Sequence, residues 1–429
     1  MPLNRIELTP VANSMALQEM RFDTDAMPVG ARAEAITTTT VRDFDGLAPH
    51  LAAWDELAWA APQKIANLLP AWTDAFLRHR LGPDERWLCS FAYSGSTLIG
   101  VMPVIVSPHP ILGPARPVLR TPHDALTPSG DIVLAPEHAE TALRALLEEL
   151  TREVPGHVGI ELKAVRSTSA LWKALEGGVD GHIARTGLRN FFAYLDVNGT
   201  FQAHLATLGK TRNHLKRFRR KLEARGALSV EIDRSAAFLS EFIALEASGW
   251  KGRANSSIAD NPKVVSFYET LVGNFASQDR WEWLALRVDG RLVAAQMCVR
   301  CGTSLTLPKT AFDEDFAEGR PGTLSAEEVL KFAFGRPEID EVNPMSDGAP
   351  HRLWHMARDE YVDVHLVRRS AAALLFQLPR VGFAGLYQKH VRPRIPADLK
   401  RAYQQFRRRG ERKPRRAGTG DSTGSDASE

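Results

Sequence analysis

One stretch of the chain, residues 281–334, constrains the fold more than any other. It reads as an apolar strand, an Asp289-Gly290 turn, two further strands and a Pro321-Gly322 bend that opens a helix. Asp-Gly between apolar runs is a strong hairpin signal, and proline favours the first position of a helix. A helix start presents unpaired N–H groups and the positive end of the dipole. We therefore expect an anionic ligand at this bend, and a pyrophosphate fits such a cradle best.

Composition places the chain among ordinary globular proteins. Its 429 residues predict two or three domains, with 44% apolar and 24% charged residues. A net charge of +3 does not favour nucleic acid as a partner of the whole protein. Three cysteines cannot build a disulfide framework, and the sequence shows neither a leader pattern nor an apolar run of membrane-spanning length. We expect a cytoplasmic protein in a reducing compartment.

The two ends of the chain differ in composition from the rest. Residues 1–36 show no periodicity, and residues 407–429 pass from an Arg/Lys cluster into a Gly/Ser/Thr/Asp tail. We expect a disordered segment at 1–36, domains at 37–195 and 196–368, and a helical extension with a disordered basic tail at 369–429. A solvated tail explains the basic cluster most simply, while peripheral contact with anionic lipid or nucleic acid is the alternative.

The chain repeats itself between these ends. Residues 87–104 match residues 283–297, because each copy is an apolar strand, a glycine-containing turn and a second apolar strand. Two helical patterns precede each copy, at 47–59 and 64–80 in the first and at 235–251 and 262–276 in the second. The shared order of elements predicts a duplication.

Only the second copy carries the bend expected to bind phosphates. Its helix is preceded by Glu318-Gly319-Arg320-Pro321-Gly322-Thr323, and Ser325-x-x-Glu328 is expected to form a capping box. Glycine permits close backbone approach and Arg320 supplies a cation, so Gly319, Arg320, Pro321, Gly322 and Thr323 are the predicted donor-binding residues. The first copy is followed by a proline-rich loop instead. The pattern favours an acyl-CoA-type transferase, and a plain strand-to-helix turn is the alternative.

Five ordered blocks resemble a known family. Residues 245–252, the Asp289-Gly290 hairpin, residues 309–314, the Pro321-Gly322 bend and Asp347…Arg352-x-Trp354 are similar to the GNAT-type acetyltransferases called BioF-like or cellulose-biosynthesis-associated. Those proteins are relatives of the Fem-type aminoacyl-tRNA transferases. The resemblance covers residues 190–366 well and the first half loosely.

The resemblance implies an α/β (α+β) fold of tandem GNAT-like domains, each a mixed, mostly antiparallel sheet flanked by helices. It also implies acetyl-CoA as co-substrate, a degenerate first domain and a catalytic second one. Two departures stand out. The family's phosphate loop reads Gln/Arg-x-x-Gly-x-Gly/Ala, whereas this chain has a proline and one glycine in that register. Many relatives have a Tyr-Lys pair where this chain has His351-Arg352.

Acyl transfer from a thioester to an amine needs a proton acceptor. We rank Asp347 and Glu246 first for this role, followed by Asp313 and Glu314. Asp347 follows the predicted strand at 339–345, although a turn residue would look the same. Glu246 lies in an apolar helix, where burial would raise its pKa, and an ion pair with Lys251 or Arg253 is the alternative.

Further residues are predicted to line the acceptor pocket. Trp250 and Lys251 are expected to stack a sugar or steer an anionic group, and Lys309 to contact substrate. Arg352 and Trp354 would frame the same pocket. Core packing is the alternative for both tryptophans, and solvation for Lys309.

Residues 201–225 form a basic helical pattern. Apolar residues follow one helical stripe while eight Lys and Arg residues crowd the other faces. A tRNA-binding surface, a site for an anionic polysaccharide or lipid-linked substrate, and a solvated face all fit.

No metal site is expected. Cys298 and Cys301 would face opposite sides of a strand, and His351 with His355 lacks the glutamate of a zinc protease helix. Serine-nucleophile and nucleotide-binding motifs are also missing from the sequence. We expect an N-acyltransferase that moves acetyl from acetyl-CoA to an amine, such as an amino sugar or polysaccharide precursor, by direct attack with a carboxylate base. Aminoacyl transfer from tRNA and a non-catalytic role in a polysaccharide synthesis complex are the alternatives, and the sequence fixes no oligomeric state.

Overall fold

A computed structural model describes residues 35–386, and the predictions for residues 1–34 and 387–429 lie outside that range. Within it, no helix combines the length and apolarity needed to cross a bilayer. The strands are β1 Ile36–Val41, β2 Arg86–Ser94, β3 Thr97–His109, β4 Gly113–Arg120, β5 Val133–Leu134, β6 Gly159–Arg166, β7 His182–Asp196, β8 Leu228–Asp233, β9 Trp281–Val288, β10 Arg291–Cys301, β11 Ser304–Thr306, β12 Thr310–Phe312, β13 Glu341–Asn343 and β14 Ala357–Arg368. The helices are α1 Phe44–Leu47, α2 Leu51–Ala60, α3 Pro70–His79, α4 Ala139–Glu153, α5 Ala170–Glu176, α6 Phe201–Thr207, α7 Lys210–Glu223, α8 Phe238–Ser248, α9 Trp250–Arg253, α10 Pro262–Ala276, α11 Pro321–Phe334, α12 Ala349–Arg352 and α13 Leu378–Leu386.

The strands form one mixed sheet flanked by helices. Its order is β1-β2-β3-β4-β6-β14-β7-β13-β11-β10-β9-β8, with β5 paired to β3 and β12 paired to β10. The pairs are antiparallel except for β4 with β6 and β11 with β13. The expected α/β class with a mostly antiparallel sheet is confirmed.

The two halves of the sheet repeat one connectivity. Hairpin β2–β3 corresponds to hairpin β9–β10, and both are flanked by an outer antiparallel strand, β1 or β8. Strand β5 pairs with β3 as β12 pairs with β10. The parallel pair β4–β6 likewise corresponds to β11–β13. The duplication predicted from the hairpins is thus present in the topology, while the domain boundaries stay predictions.

The last strand joins the halves. Strand β14 lies between β6 and β7 and is antiparallel to both, and β7 pairs in turn with β13. Each half therefore completes its sheet against a strand from the other part of the chain.

The helices between the halves share one apolar core. In α10 the buried residues Phe267, Leu271 and Phe275 recur at helical spacing. The centroid of the Trp72 ring of α3 lies 6.4 Å from that of Phe267 and 6.3 Å from that of Phe275. Full burial of such side chains stabilises the fold by about 1.5–3 kcal/mol each.

Two predicted helices are interrupted. The expected basic helix at 201–225 is two helices, because Gly209 takes a φ of 52° and separates α6 from α7. The pattern at 235–251 likewise breaks at Gly249, whose extended backbone separates α8 from α9. The first break leaves the basic side chains on α7, and the second places Lys251 and Arg253 on the short helix α9.

Candidate active site

Helix α11 begins at Pro321, as the sequence predicts, and no side chain caps it. Arg320 precedes it in a left-handed conformation, with an exposed side chain that makes no ion pair with any residue of the range 35–386. The N–H groups of Thr323 and Leu324 donate to the Arg320 carbonyl at 2.9 and 3.2 Å. The expected Ser325-x-x-Glu328 capping box is wrong, since Ser325 lies inside the helix with its hydroxyl buried and unpartnered. An anion at this end would meet the Gly322 amide and the Arg320 guanidinium.

The two glycines of the predicted cradle have different roles. A Cβ at Gly319 would lie 2.3 Å from Leu222 Cδ2, so this glycine lets α7 pack closely. A Cβ at Gly322 would lie 3.2 Å from the exposed ring of Phe312. Only Gly322 therefore keeps the helix start accessible. This cradle thus offers an anion one open glycine, whereas a loop with two free glycines would offer two.

Part of the basic helix α7 holds this cradle in place. Arg219 pairs with Glu327 at 2.8 Å and with Glu328 at 2.5 Å, both in α11. Lys221 pairs with Glu318 at 3.3 Å, and the Arg225 guanidinium lies 3.8 Å from the centroid of the Phe316 ring. The other basic side chains of α7 face solvent and have no acidic partner among the described residues: Lys210, Arg212, Lys216, Arg217 and Arg220.

The sheet opens beside the cradle. Strands β11 and β13 run parallel from Ser304 with Glu341 to Thr306 with Asn343, and the Leu307 N–H adds a bond to the Asn343 carbonyl. The chain then diverges. Strand β12 pairs only with β10 within the described chain, whereas the segment after β13 follows β7 through a bond from Ala193 N–H to the Ser346 carbonyl. One edge of β12 is thereby left open.

A buried charge cluster lies at the start of that open edge. The Glu246 carboxylate of α8 accepts from Lys251 Nζ and Lys309 Nζ, both at 2.7 Å, and from the Ile258 N–H at 2.8 Å. Its side chain is 1% exposed, whereas the lysine side chains are 27% and 18% exposed. The structure thus brings Lys309 to Glu246 and Lys251, which are neighbours in the sequence but lie far from Lys309 along the chain.

The protonation of this cluster differs from the expectation. Burial would raise the pKa of Glu246, but Lys309, Lys251 and the Ile258 N–H hold it below its usual value. The expected raised pKa is wrong, and the alternative ion pair with Lys251 is present. Burial lowers the pKa of Lys309. One carboxylate cannot neutralise two ammonium groups, so the cluster keeps a net positive charge.

Asp347 lies in the segment after β13 and bonds to Arg358, not to this cluster. It forms a two-point ion pair with Arg358, including a 3.1 Å bond to Nε, and that bonding lowers its pKa. His351 of α12 lies nearby, with Nε2 3.0 Å from the Ser346 hydroxyl. Burial lowers the pKa of His351, so the imidazole is neutral at pH 7. His351 was not among the bases expected from the sequence, although its position in place of the family's tyrosine was a signal.

Asp313 and Glu314 hold local structure. Asp313 caps the 3₁₀ turn Glu314–Gly319 and pairs with Arg291 at 2.5 Å. Glu314 accepts from the Trp250 N–H at 2.8 Å and pairs with Arg253. These bonds occupy both carboxylates and fix the start of α9, where the Trp250 ring is 57% exposed rather than packed in a core.

Trp354 and Arg352 do not share a pocket. Trp354 is 2% exposed within the core below α11, so its expected contact with substrate is wrong. Arg352 is exposed and close enough to Asp347 to contribute to its lowered pKa.

The comparisons with known proteins agree with this geometry. Residues 209–350 match the family described as an acetyltransferase (GNAT) domain. FemX superposes with a TM-score of 0.56 at 11% identity, covering 79% of this chain and 99% of FemX.

Two further solved structures are more distant. The C-terminal domain of a putative lysylphosphatidylglycerol synthetase from Agrobacterium fabrum has a TM-score of 0.46 at 14% identity, covering 78% of this chain and 96% of that one. A tandem GNAT protein from the clavulanic acid biosynthesis pathway has a TM-score of 0.41 at 15% identity, covering 77% and 98%. Comparison with curated protein sequences gave no match. Residues 209–350 thus match a GNAT acetyltransferase domain, and the chain has a GNAT-like acyltransferase fold similar to that of FemX.

Proposed function

We propose that the chain transfers an acetyl group from acetyl-CoA to an amine at the open edge of β12. The observation that carries the proposal is the net positive charge of the Glu246, Lys251 and Lys309 cluster at one end of that edge. The Gly322 amide and Arg320 lie at its other end, since Phe312 contacts Gly322. The two ends are about 10 Å apart along the strand.

The donor would lie along this edge. Its phosphates would bind Arg320 and the Gly322 amide, and the unpaired backbone groups of β12 would hydrogen-bond its amide-containing arm. This arrangement directs the thioester carbonyl toward Lys309. A partly buried ammonium group there stabilises the negative charge that develops on the carbonyl oxygen.

The proton of the attacking amine needs an acceptor. Glu246 and Asp347 are both held ionised by cations, which makes them weak bases. The neutral imidazole of His351 suits this role better. The amine nitrogen bonds to the acyl carbon, the carbon–sulfur bond breaks, the thiolate leaves and His351 accepts the amine proton.

An amino sugar or polysaccharide precursor is the proposed acceptor. The exposed Trp250 ring offers a stacking surface, and Lys251, in the same short helix, would bind an anionic group of the sugar.

Aminoacyl transfer from tRNA is the second candidate. It is favoured by the five unpaired cations of α7 beside the cradle and by the FemX-like fold. Few aromatic side chains accompany these cations, so RNA would be held through its phosphates and binding would weaken steeply with salt.

A thermal-shift titration with acetyl-CoA, free CoA and total tRNA separates the candidates, because a ligand that binds only the folded state raises the midpoint. We expect a rise with acetyl-CoA and CoA that Gly322→Asp abolishes. The matched control, Gly322→Ala, adds a Cβ at the same site without a charge and should keep most of the response.

The tRNA arm uses a variant with Lys216, Arg217 and Arg220 changed to Glu. A response to tRNA alone, lost in that variant, would replace the acetyl-CoA proposal with aminoacyl transfer. An unchanged thermal midpoint with all three ligands would contradict both candidate functions.

A further inference from the structure

The segment after β14 presents an apolar face to solvent. A π-helical turn, Ala373–Gln377, leads into α13. Between residues 371 and 383 every exposed residue is apolar: Ala371, Leu374, Leu375, Phe376, Pro379, Gly382 and Phe383. Leu375 is 70% and Phe383 74% exposed. A helix face that met only water would carry charged or polar side chains.

The opposite face of this segment is firmly attached to the sheet. Ala373 and Val381 are buried against Val118 and Val367. Arg380, whose side chain is 38% exposed, pairs with Glu161 at 2.7 Å, and Gln377 donates to the same carboxylate at 3.1 Å. The apolar face is therefore held in place and is not a frayed end.

A hairpin tip extends the same surface. In the turn between β3 and β4, the N–H groups of Ile111 and Leu112 donate to His109 Nδ1, both at 3.1 Å. Leu112 packs on the cluster that holds Ala373, while Ile111 projects with 67% exposure. Leu112 thus links this hairpin tip to segment 371–383, whose exposed apolar side we call the 371–383 face.

The sequence beyond this face is strongly basic. Residues 387–416 contain twelve Lys and Arg but only two acidic residues, Asp398 and Glu411. An apolar helix face next to a basic segment gives the two attractions that hold peripheral proteins at anionic bilayers: burial of apolar side chains among the acyl chains and attraction to the headgroups. An anionic partner suits this basic composition better than a second, equally basic copy of the chain.

We propose that the 371–383 face, with the Ile111 hairpin tip, docks on an anionic lipid surface. The apolar side chains enter the interface, and the basic composition of the sequence that follows favours anionic headgroups. This inference rests on the outer surface of the fold and is independent of the reaction at β12.

Vesicle flotation of the full chain tests the proposal. We expect recovery with vesicles of phosphatidylcholine and phosphatidylglycerol, little with phosphatidylcholine alone, and loss near 1 M salt, where charges are screened beyond about 3 Å. Leu375→Ser with Phe383→Ser should weaken binding at least about tenfold, because two large apolar side chains no longer enter the interface.

The matched control is Ile232→Ser, which removes an apolar side chain of 49% exposure from edge strand β8. It should bind vesicles as the wild type does. Equal recovery of the double variant and wild type would overturn the proposal, as would equal binding to neutral vesicles. A wild-type dimer that the double variant converts to a monomer, without lipid binding by either, would assign the face to a second copy instead.

Discussion

The two halves of the sheet share one connectivity, but they differ in what occupies the space beside β5 in the first half and beside β12 in the second. In the first half, a Cβ at Gly100 of β3 would lie 3.1 Å from both Ala142 and Leu146, so α4 packs directly on the hairpin. Asp131, just before β5, is 2% exposed and bonded to Ser169 at 3.0 Å. The first half therefore fills its gap with core residues and a buried network of hydrogen-bonded polar side chains.

The second half leaves the corresponding place open and charged. Lys309 stands just before β12, as Asp131 does before β5, and it faces a shared carboxylate instead of hydrogen-bonding neighbours. The starts of α4 and α11 both lack a side-chain cap, but only α11 is preceded by an arginine, Arg320. The comparison teaches that duplication supplied a scaffold twice, and that side chains at a few equivalent positions decide which copy can hold a ligand.

The largest expected effect on turnover comes from Lys309→Met. Removing the ammonium group should cut kcat by about 10²–10³-fold if it stabilises the developing oxyanion. The fold should survive, because Glu246 keeps Lys251 and the Ile258 N–H. Steady-state kinetics checks this, with Lys331→Met as control, since Lys331 also pairs with carboxylates but lies along α11. Similar values of kcat in both variants would show that the charge of Lys309 does not make the second half catalytic.

The second effect concerns His351→Gln, which should lower kcat by about 10²-fold through loss of the base. Because burial lowers the pKa of His351, the wild type should lose activity only as the pH falls below 6.5. The variant should lack that acidic limb in a pH–rate profile. His355→Gln, an exposed neighbour, is the control. An unchanged acidic limb in His351→Gln would exclude the imidazole as base.

Gly322→Asp should act on donor affinity. A carboxylate in the first turn suits a helix start, so the fold should be kept while the donor Kd rises about tenfold or more. Calorimetric titration with CoA measures this, against Gly322→Ala. Equal affinities in the two variants would place the phosphates elsewhere.

The smallest effect on turnover is expected in the first half. Asp131→Asn should leave kcat within about twofold, yet it should change the pH dependence of stability. Burial raises the pKa of Asp131 from 3.8 to about 7. Its contribution to stability is complete below the unfolded pKa and is lost as the pH rises through the folded one.

Denaturant titrations should therefore show a wild type that loses about 2–3 kcal/mol more than the Asn variant between about pH 5 and 8. A kcat loss as large as that of Lys309→Met would show that the first half takes part in catalysis.

Signals between residues close in the sequence predicted much of the fold. The Asp289-Gly290 turn and Pro321 located a hairpin and a helix start, and the repeat of hairpins predicted the duplication. Such features depend on residues close in sequence, whose backbone preferences can be read directly.

Contacts between distant segments could not be read in this way. Gly319 looked like a ligand-binding glycine because its partner, Leu222, lies in another helix. The pairing of Glu246 with Lys309 reversed the expected direction of its pKa shift. Trp354 entered the core because α11 covers it. Each outcome was decided by tertiary packing that local pattern does not encode.

The position of β14 has a consequence for synthesis of the protein. Its register pairs His365 with Glu161 of β6 and with Arg185 of β7. Until the ribosome has made β14, the edges of β6 and β7 that pair with it stay unpaired. The first half cannot finish folding as it emerges, and a chain released before residue 357 would offer those edges to other molecules. Completion of the last strand therefore decides whether a newly made chain matures or aggregates.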